Sequence, residues 1–207
     1  MLVFLLRIAL PDRPGSLGAV ATAMGTAGAD IAAVEIVDKR DGIVVDDFML
    51  SLPSDTPPDV LVTVCAQLPD VQVLWLSHYP ESWGLQSDVD VLDEMMADHA
   101  HAGAILTGAA PEVFHASWAV LVDRSRKTLR AASDLAPDLS AAAIDKLGDL
   151  TQPGARELPA GWHGDLAETV IALAPLDTTT LVVARHGGPD FRPSEQARLR
   201  YLAALAH

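Results

Sequence analysis

The stretch VFLLRIALPDRPGSLGAVATAMGTAGADI, residues 3–31, decides the fold of the first third of the chain. Residues 3–10 form a near-continuous apolar run, which is typical of a central strand. An Asp-Arg-Pro-Gly turn follows at residues 12–15. Apolar residues then recur at helical spacing: Leu17, Val20, Ala21 and Met24. Gly28 ends this helix, and a second strand is expected to start at Ile31.

Strand and helix signals continue to alternate along the sequence to residue 77. Asp41-Gly42 is a two-residue hairpin signal between strands expected at 31–39 and 44–52. Thr56-Pro57-Pro58 opens a second helix, and the last strand is expected at 71–77. The second helix has a buried stripe of Leu61, Val64, Cys65 and Leu68. The order is βαββαβ, so the sequence predicts an α+β domain of the ferredoxin-like type over residues 1–80.

The turn between the first strand and the first helix carries the functional signal. Gly15 lets a ligand approach the backbone, because glycine has no side chain in the way. The free N–H groups of Ser16 and Leu17 at the helix start favour a small anion such as a carboxylate. The alternative is that the turn only starts the helix.

In its turn sequence, its helix length and its Gly-x-x-Ile step, this segment resembles the ACT domain, a regulatory module whose usual ligands are amino acids. The resemblance implies a ligand site between the first strand and the first helix, at a contact between two such domains. Carried over by position, the site residues are Asp12, Gly15, Ser16, Leu17, Asp30 and Ile31. Asp12 would accept from the ligand's ammonium group, and Asp30 and Ile31 would come from the neighbouring domain.

One of these positions departs from the family pattern. The family often has Asn where this chain has Asp30. A carboxylate there either recognises an ammonium group or weakens amino-acid binding.

Composition excludes several classes of protein. The net charge of −14 is spread along the chain and disfavours nucleic acid as a partner. No apolar run approaches the ~20 residues that span a bilayer, so no membrane partner is expected. The start lacks a basic leader and a cleavage site, which predicts a cytoplasmic protein. The single cysteine, Cys65, cannot form an internal disulfide and is expected in the core.

A second domain is expected over residues 88–207, after a break at 80–88 that contains Pro80 and Gly84. An amphipathic helix is predicted from Val91 to His101, and the small-residue stretch after it either continues this helix or connects to a strand. Strands are expected at 116–122, 128–133, 168–175 and 179–185, helices at 139–150 and 193–206, and a loop at 151–164. The basic run Arg124–Lys127 is predicted to be a solvated turn.

The end of the chain carries a second resemblance. A strand, a glycine turn, Phe191 and a helix with an early Glu195 resemble the end of a GAF domain. This resemblance implies a sensory module with a six-stranded antiparallel sheet flanked by helices. Bilin attachment needs a cysteine, which residues 88–207 lack, and the acidic-Lys-Phe pattern of cyclic-nucleotide binding is not visible. A small ligand between the sheet and the 151–164 loop is left open.

The seven histidines match no metal or catalytic pattern. His99 and His101 are two residues apart and would face different ways on a helix. The tetrad Trp162-His163-Gly164-Asp165 is the most enzyme-like stretch, yet it has no glycine-flanked Ser or Cys nucleophile. No metal and no cofactor are therefore expected.

Together these features predict a non-catalytic regulatory protein that senses a small ligand, in the first place an amino acid, at the interface of ACT-like domains. We expect a homodimer with contacts through the first domain, because a ferredoxin-like sheet leaves an edge strand that needs cover. One alternative is an assembly protein that dimerises without ligand. Another is a small enzyme centred on His163.

Overall fold

The computed structural model describes residues 2–78, 87–163 and 168–206, and the chain divides into two compact units, residues 1–83 and 84–207. Both units combine helices with an antiparallel sheet, so the predicted α+β class is confirmed. The predicted break at 80–88 lies largely outside the described residues.

The first unit has the predicted βαββαβ order. Its elements are β1 (Leu2–Pro11), α1 (Ser16–Thr26), β2 (Asp30–Arg40), β3 (Ile43–Leu52), α2 (Asp59–Ala66) and β4 (Gln72–His78). The sheet has the order β2-β3-β1-β4 with antiparallel neighbours, which is consistent with a ferredoxin-like fold. Asp41 and Gly42 have φ values of 52° and 77°, as a two-residue hairpin turn requires.

The core of the first unit lies between one face of this sheet and both helices. Alternate residues of β1 and β3 pack there with apolar side chains of α1 and α2, among them Leu6, Ile8, Phe48, Val20, Met24 and Leu61. Cys65 is buried in this core, as expected, and burial raises the pKa of its thiol to about 11. A thiol that stays protonated is a packing residue rather than a nucleophile.

The opposite face of the same sheet carries a buried ion pair. Arg7 donates from Nε and Nη2 to the two carboxylate oxygens of Asp47 at 2.6 and 2.7 Å. Both side chains are fully buried. The two-bond geometry suits a guanidinium and a carboxylate, and it fastens β1 to β3.

The second unit is a five-stranded antiparallel sheet with helices on both faces. Its elements are α3 (Ser87–Ala97), a 3₁₀ turn (His99–His101), α4 (Ala102–Val113), β5 (Trp118–Asp123), β6 (Thr128–Ala132), α5 (Ala141–Lys146), β7 (Gly154–Glu157), β8 (Thr169–Pro175), β9 (Thr179–His186) and α6 (Pro193–Leu205). The strand order is β6-β5-β9-β8-β7. One face packs against α3, α4 and α6, and the other against α5 and the segment around Leu158 and Trp162.

Several parts of the second unit differ from expectation: the described sheet has five strands rather than six, and the first helix ends at Ala97 rather than His101. The helix predicted over 139–150 is shorter, because Ser140 caps its start and the left-handed Gly148 lies just beyond its end. The loop predicted over 151–164 contains β7, whose four residues are too few for an alternating pattern to stand out. The small-residue stretch 103–108 belongs to α4.

The basic run at 124–127 forms the predicted turn, but Arg124 is not solvated as predicted. Its Nη2 donates to the Leu176 carbonyl at 2.8 Å, and its Nη1 to the Thr180 hydroxyl at 2.9 Å. It also contacts the carbonyls of Asp177 and Thr179. Arg124 therefore fastens the turn between β8 and β9.

Candidate functional site

The start of α1 is held beside the hairpin that joins β2 to β3. The N–H of Asp12 donates to the Gly42 carbonyl at 2.8 Å, and the N–H of Ser16 donates to the Arg13 carbonyl at 3.2 Å. Gly15 precedes the helix with φ 95°, a left-handed conformation that disfavours other residues. A Cβ on Gly15 would meet no atom within 4 Å. Its conformation, rather than crowding, therefore requires a glycine here.

A cleft of about 140 Å³ opens at this helix start. It is lined by Pro11, Arg13, Pro14, Gly15, Ser16, Ala19, Leu68, Pro69 and Val71. The cleft thus lies between the first turn of α1 and the segment from α2 to β4. Its one charged lining side chain, Arg13, has no ion-pair partner among the described residues.

The backbone at this position favours an anion. The first N–H in the helical pattern is that of Ala19, which donates to the Gly15 carbonyl at 2.9 Å. The N–H groups of Leu17 and Gly18 precede it and point out of the positive end of α1. The N–H of Ser16, which was predicted to meet the ligand, is instead bonded within the turn.

The structure brings some of the predicted site residues together and separates others. Gly15 and Ser16 line the cleft. Leu17 is next to them and 45% exposed. Asp12 does not line the cleft, and its carboxylate pairs with Lys39 at 2.9 Å.

Asp30 and Ile31 lie at the other end of the sheet from this turn. Asp30 is opposite Ser51, which is opposite Val3 near the start of β1, whereas the cleft lies at Pro11. Eight residues of strand separate the two places, about 26 Å at 3.3 Å per residue. A site that contains every predicted residue therefore needs a second copy of the chain, as the resemblance implied.

Sequence reasoning missed Arg13 and the apolar wall of the cleft. Arg13 is the only cation within the turn sequence, and that was the available signal. Leu68, Pro69 and Val71 come from a distant part of the chain. Only the packing of α2 beside α1 brings them near, so no local pattern could have indicated them.

Asp46 stands apart among the carboxylates of the first unit. It is 2% exposed, and its Oδ1 has no hydrogen-bond partner among the described residues. In register it lies between Ile8 and Ile36. Burial, followed by the charges of Asp47 and Asp12, raises its pKa to about 6. This carboxyl is an unsatisfied group on the sheet that carries the candidate site.

In the second unit, side chains fill the space where a ligand was left open, between the sheet and residues 151–164. Trp118 and Trp162 are buried and stack with ring centroids 5.8 Å apart. Trp162 Nε1 donates to Thr169 Oγ1 at 3.2 Å, and Trp118 Nε1 donates to His186 Nε2 at 3.0 Å. The polar atoms of this layer therefore have partners within the unit.

Metal binding and catalysis gain no support from the described residues. In these residues no group of three or more potential metal ligands comes together. His101 pairs instead with Asp98 at 2.8 Å, and the His163 ring packs on Trp162 at 5.3 Å between centroids. Gly164 and Asp165 of the enzyme-like tetrad lie outside the described residues. In the part of the chain that the structure describes, every helix is too short or too polar to cross a membrane.

Comparisons with known proteins place the chain in no family. No family model matches it, and no curated protein does. Among solved structures, a formyltetrahydrofolate deformylase from Pseudomonas putida KT2440 is similar over 46% of this chain, with 12% identity and a TM-score of 0.31. This chain covers 38% of the length of that deformylase.

Two further structures are similar over nearly the whole chain. An unknown protein from Galdieria sulphuraria matches 99% of this chain and 91% of its own, with 14% identity and a TM-score of 0.34. A candidate glycine cleavage system transcriptional repressor matches 98% of this chain and 91% of its own, with 9% identity and a TM-score of 0.32. Scores this low support no argument about fold or function.

Proposed function

We propose that this chain is a non-catalytic regulatory protein of the cytoplasm whose first unit is an ACT-like domain that binds a small amino acid at the start of α1. The observation that carries the proposal is the cleft at this position, which Arg13, Gly15 and Ser16 line at the first turn of α1. The second unit is proposed to be a GAF-like sensory module. Neither nucleic acid nor membrane is proposed as a partner.

The size of the cleft favours a small ligand. Its volume of about 140 Å³ would hold several water molecules of about 30 Å³ each. It is well below the ~300 Å³ at which sites for drug-sized molecules begin. Glycine, alanine and serine are therefore the first ligands to test.

Each part of such a ligand has a counterpart in the first unit. The carboxylate would accept from the N–H groups of Leu17 and Gly18 and from the Arg13 guanidinium, a charge-assisted arrangement. A small side chain would lie against the apolar wall formed by Leu68 and Val71. The ammonium group would be met by Asp30 of a second copy of the chain.

This arrangement links ligand binding to dimerisation. β2 is an edge strand of the sheet, and Ile36 on it is 66% exposed. Pairing of two such edges would cover unpaired backbone groups. A ligand bound where two copies meet stabilises the dimer by mass action, and the dimer raises the affinity for ligand by the same factor.

The test is isothermal titration calorimetry with glycine, alanine and serine against the wild type and an Arg13→Gln variant. Loss of a charge-assisted hydrogen bond is expected to weaken binding about tenfold or more. Arg126→Gln, an exposed arginine of the second unit, is the matched control and is expected to bind like the wild type. Absence of binding by the wild type at millimolar concentration would overturn the proposal.

The second candidate function is assembly without a ligand. The observation in its favour is the ion pair between Asp12 and Lys39, which occupies a carboxylate that the ligand was predicted to use. Analytical ultracentrifugation separates the two candidates. A dimer whose dissociation constant is unchanged by saturating amino acid supports assembly, whereas a dimer strengthened by the ligand supports sensing.

A further inference from the structure

His186 lies at the centre of a chain of hydrogen bonds that joins the sheet of the second unit to Trp162. Its Nε2 accepts from Trp118 Nε1 at 3.0 Å. Its Nδ1 is 3.0 Å from Thr169 Oγ1, and Thr169 Oγ1 accepts from Trp162 Nε1 at 3.2 Å. The Leu158–Trp162 segment is therefore bonded directly to Thr169 of β8, and the stack of Trp162 on Trp118 connects it to His186.

The partners of His186 fix its protonation state. An indole N–H can only donate, so the Nε2 that faces Trp118 carries no proton. A neutral imidazole then carries its proton on Nδ1 and donates it to Thr169 Oγ1. A second proton on Nε2 would set two donors against each other at 3.0 Å and break the bond to Trp118.

The groups that face the imidazole in the described residues are uncharged. β5 presents Trp118 and β8 presents Thr169. Ser117, which precedes β5, accepts from the backbone N–H of His186 at 3.0 Å. The side chain of Arg185 on the same strand is bonded to Glu195 and to the carbonyls of Phe114 and His115.

Other titratable groups of this region contact Trp162 or the backbone after β9. His163 packs on Trp162, and Lys146 Nζ donates to the Trp162 carbonyl at 3.1 Å. The backbone carbonyl of Glu168 accepts from the N–H of Gly187, and the Glu168 side chain is exposed. No described carboxylate accepts a hydrogen bond from the ring, so an imidazolium would gain no counter-charge there.

We propose that neutral His186 is a latch that holds the Leu158–Trp162 segment against the sheet, and that a proton on its Nε2 releases this segment. The release breaks the Trp118 bond directly. It also frees the Trp118 ring, on which the Trp162 ring stacks with centroids 5.8 Å apart, whereas the bond from Nδ1 to Thr169 is kept. Burial lowers the pKa of His186 from its ordinary value of 6.5, so the ring is neutral at pH 7 and the latch opens only in acid.

The proposal is tested by hydrogen exchange on the full chain at pH 7 and pH 5, corrected for the intrinsic effect of pH on exchange. In the wild type, protection of residues 158–163 is expected to be more than about twofold lower at pH 5 than at pH 7, because the folded state must take up a proton at His186. His186→Gln can accept from Trp118 without titrating, so its loss of protection is expected to be less than about twofold. His163→Gln is the matched control and is expected to behave like the wild type.

A second measurement, on the wild type alone, tests the proposal if His186→Gln does not fold. Nitrogen chemical shifts of the wild-type imidazoles at pH 7 report the tautomer of each histidine. A neutral His186 with its proton on Nδ1 supports the latch. A charged ring, a proton on Nε2, or equal pH dependence in the wild type and His186→Gln overturns it.

Discussion

Two polar side chains near the candidate site of the first unit contrast with the layer formed by Trp118, Trp162, His186 and Thr169 in the second. In the first unit, Arg13 lines an open cleft without an ion-pair partner in the described residues, and Asp46 is buried with an unpaired Oδ1. In the second unit, Trp118, His186 and Thr169 bond one another in a closed layer. A polar group without a partner can form a new hydrogen bond with a bound molecule. A polar group that is already hydrogen-bonded stabilises the folded state and offers a ligand less. The contrast favours the first unit as the place for a ligand.

The same contrast gives the two units opposite responses to acid. Burial raises the pKa of Asp46 from 3.8 to about 6, so its contribution to stability is present below about pH 4 and lost as the pH rises through 6. Burial lowers the pKa of His186 below 6.5, so its contribution is present above pH 6.5 and lost as the pH falls through the folded-state pKa. Mild acid is therefore expected to raise the free energy of unfolding of the first unit and to lower that of the second.

The largest loss of stability is expected from a substitution in the Trp118–Trp162 layer of the second unit. Trp162→Ala removes a side chain that is 2% exposed and stacked on Trp118, and it is expected to lower the free energy of unfolding by about 3–5 kcal/mol. Urea unfolding followed by hydrogen exchange of β8 and β9 measures the loss. Tyr201→Ala, at a residue 67% exposed, is the control and is expected to change stability by about 0.5 kcal/mol or less. A similar loss in both variants would show that the layer is not closed.

The next effect concerns the backbone of the open site. Gly15→Val places a β-branched residue at φ 95° and is expected to destabilise the first unit by about 1–3 kcal/mol. Gly15→Asn is expected to be milder, because Asn tolerates left-handed conformations. Gly18→Ala, within the helix and also with no atom within 4 Å of a Cβ, is expected to stabilise by about 0.5–1 kcal/mol. Thermal unfolding distinguishes the three, and equal destabilisation by Val and Asn would contradict the conformational argument.

A smaller effect tests the unpaired carboxyl. Asp46→Asn removes a buried charge and keeps the shape, so at pH 7 it is expected to stabilise the first unit by about 1 kcal/mol once solvent screening is allowed for. Between pH 4 and pH 6 the wild type is expected to lose stability and the variant is not. Hydrogen exchange of β3 across that range measures both slopes. Parallel slopes would mean that Asp46 has the ordinary pKa of an exposed carboxyl.

The smallest effect on stability is expected from a substitution that tests whether Asp12 belongs to the site. Lys39→Ala removes an exposed partner of Asp12 and is expected to change stability by about 0.5 kcal/mol or less. If Asp12 also receives the ammonium group of the ligand, the variant binds an amino acid more tightly than the wild type, because Lys39 no longer competes. Calorimetry with the wild type and Lys39→Ala decides this, and unchanged affinity would remove Asp12 from the site.

Periodicity and turn chemistry predicted most of the fold. β1 and β3 are long apolar strands, and Asp41-Gly42 is a local hairpin signal that needs no tertiary context. β7 was missed because four residues carry too little pattern, and the early end of α5 depends on the conformation of Gly148. These errors are local and follow from short elements.

The site was less accessible to sequence reasoning, because its features depend on contacts between distant parts of the chain. Gly15 and Ser16, which line the cleft, were predicted from the turn, but the bond between Asp12 and Lys39 and the wall at Leu68 arise from packing. The bond between Trp118 and His186 joins residues 68 positions apart. Charge and polarity are visible in a sequence, but the partner that satisfies each group is not.

The buried pair of Arg7 and Asp47 restricts how this sequence can diverge. Loss of either residue alone removes a buried counter-charge from the other and costs about 3–5 kcal/mol, a large part of the stability of a small domain. Replacement of both by apolar residues of similar volume is often neutral. Descendants of this chain are therefore expected to keep both residues or to exchange both. The two positions are therefore expected to covary, although they lie 40 residues apart in the chain.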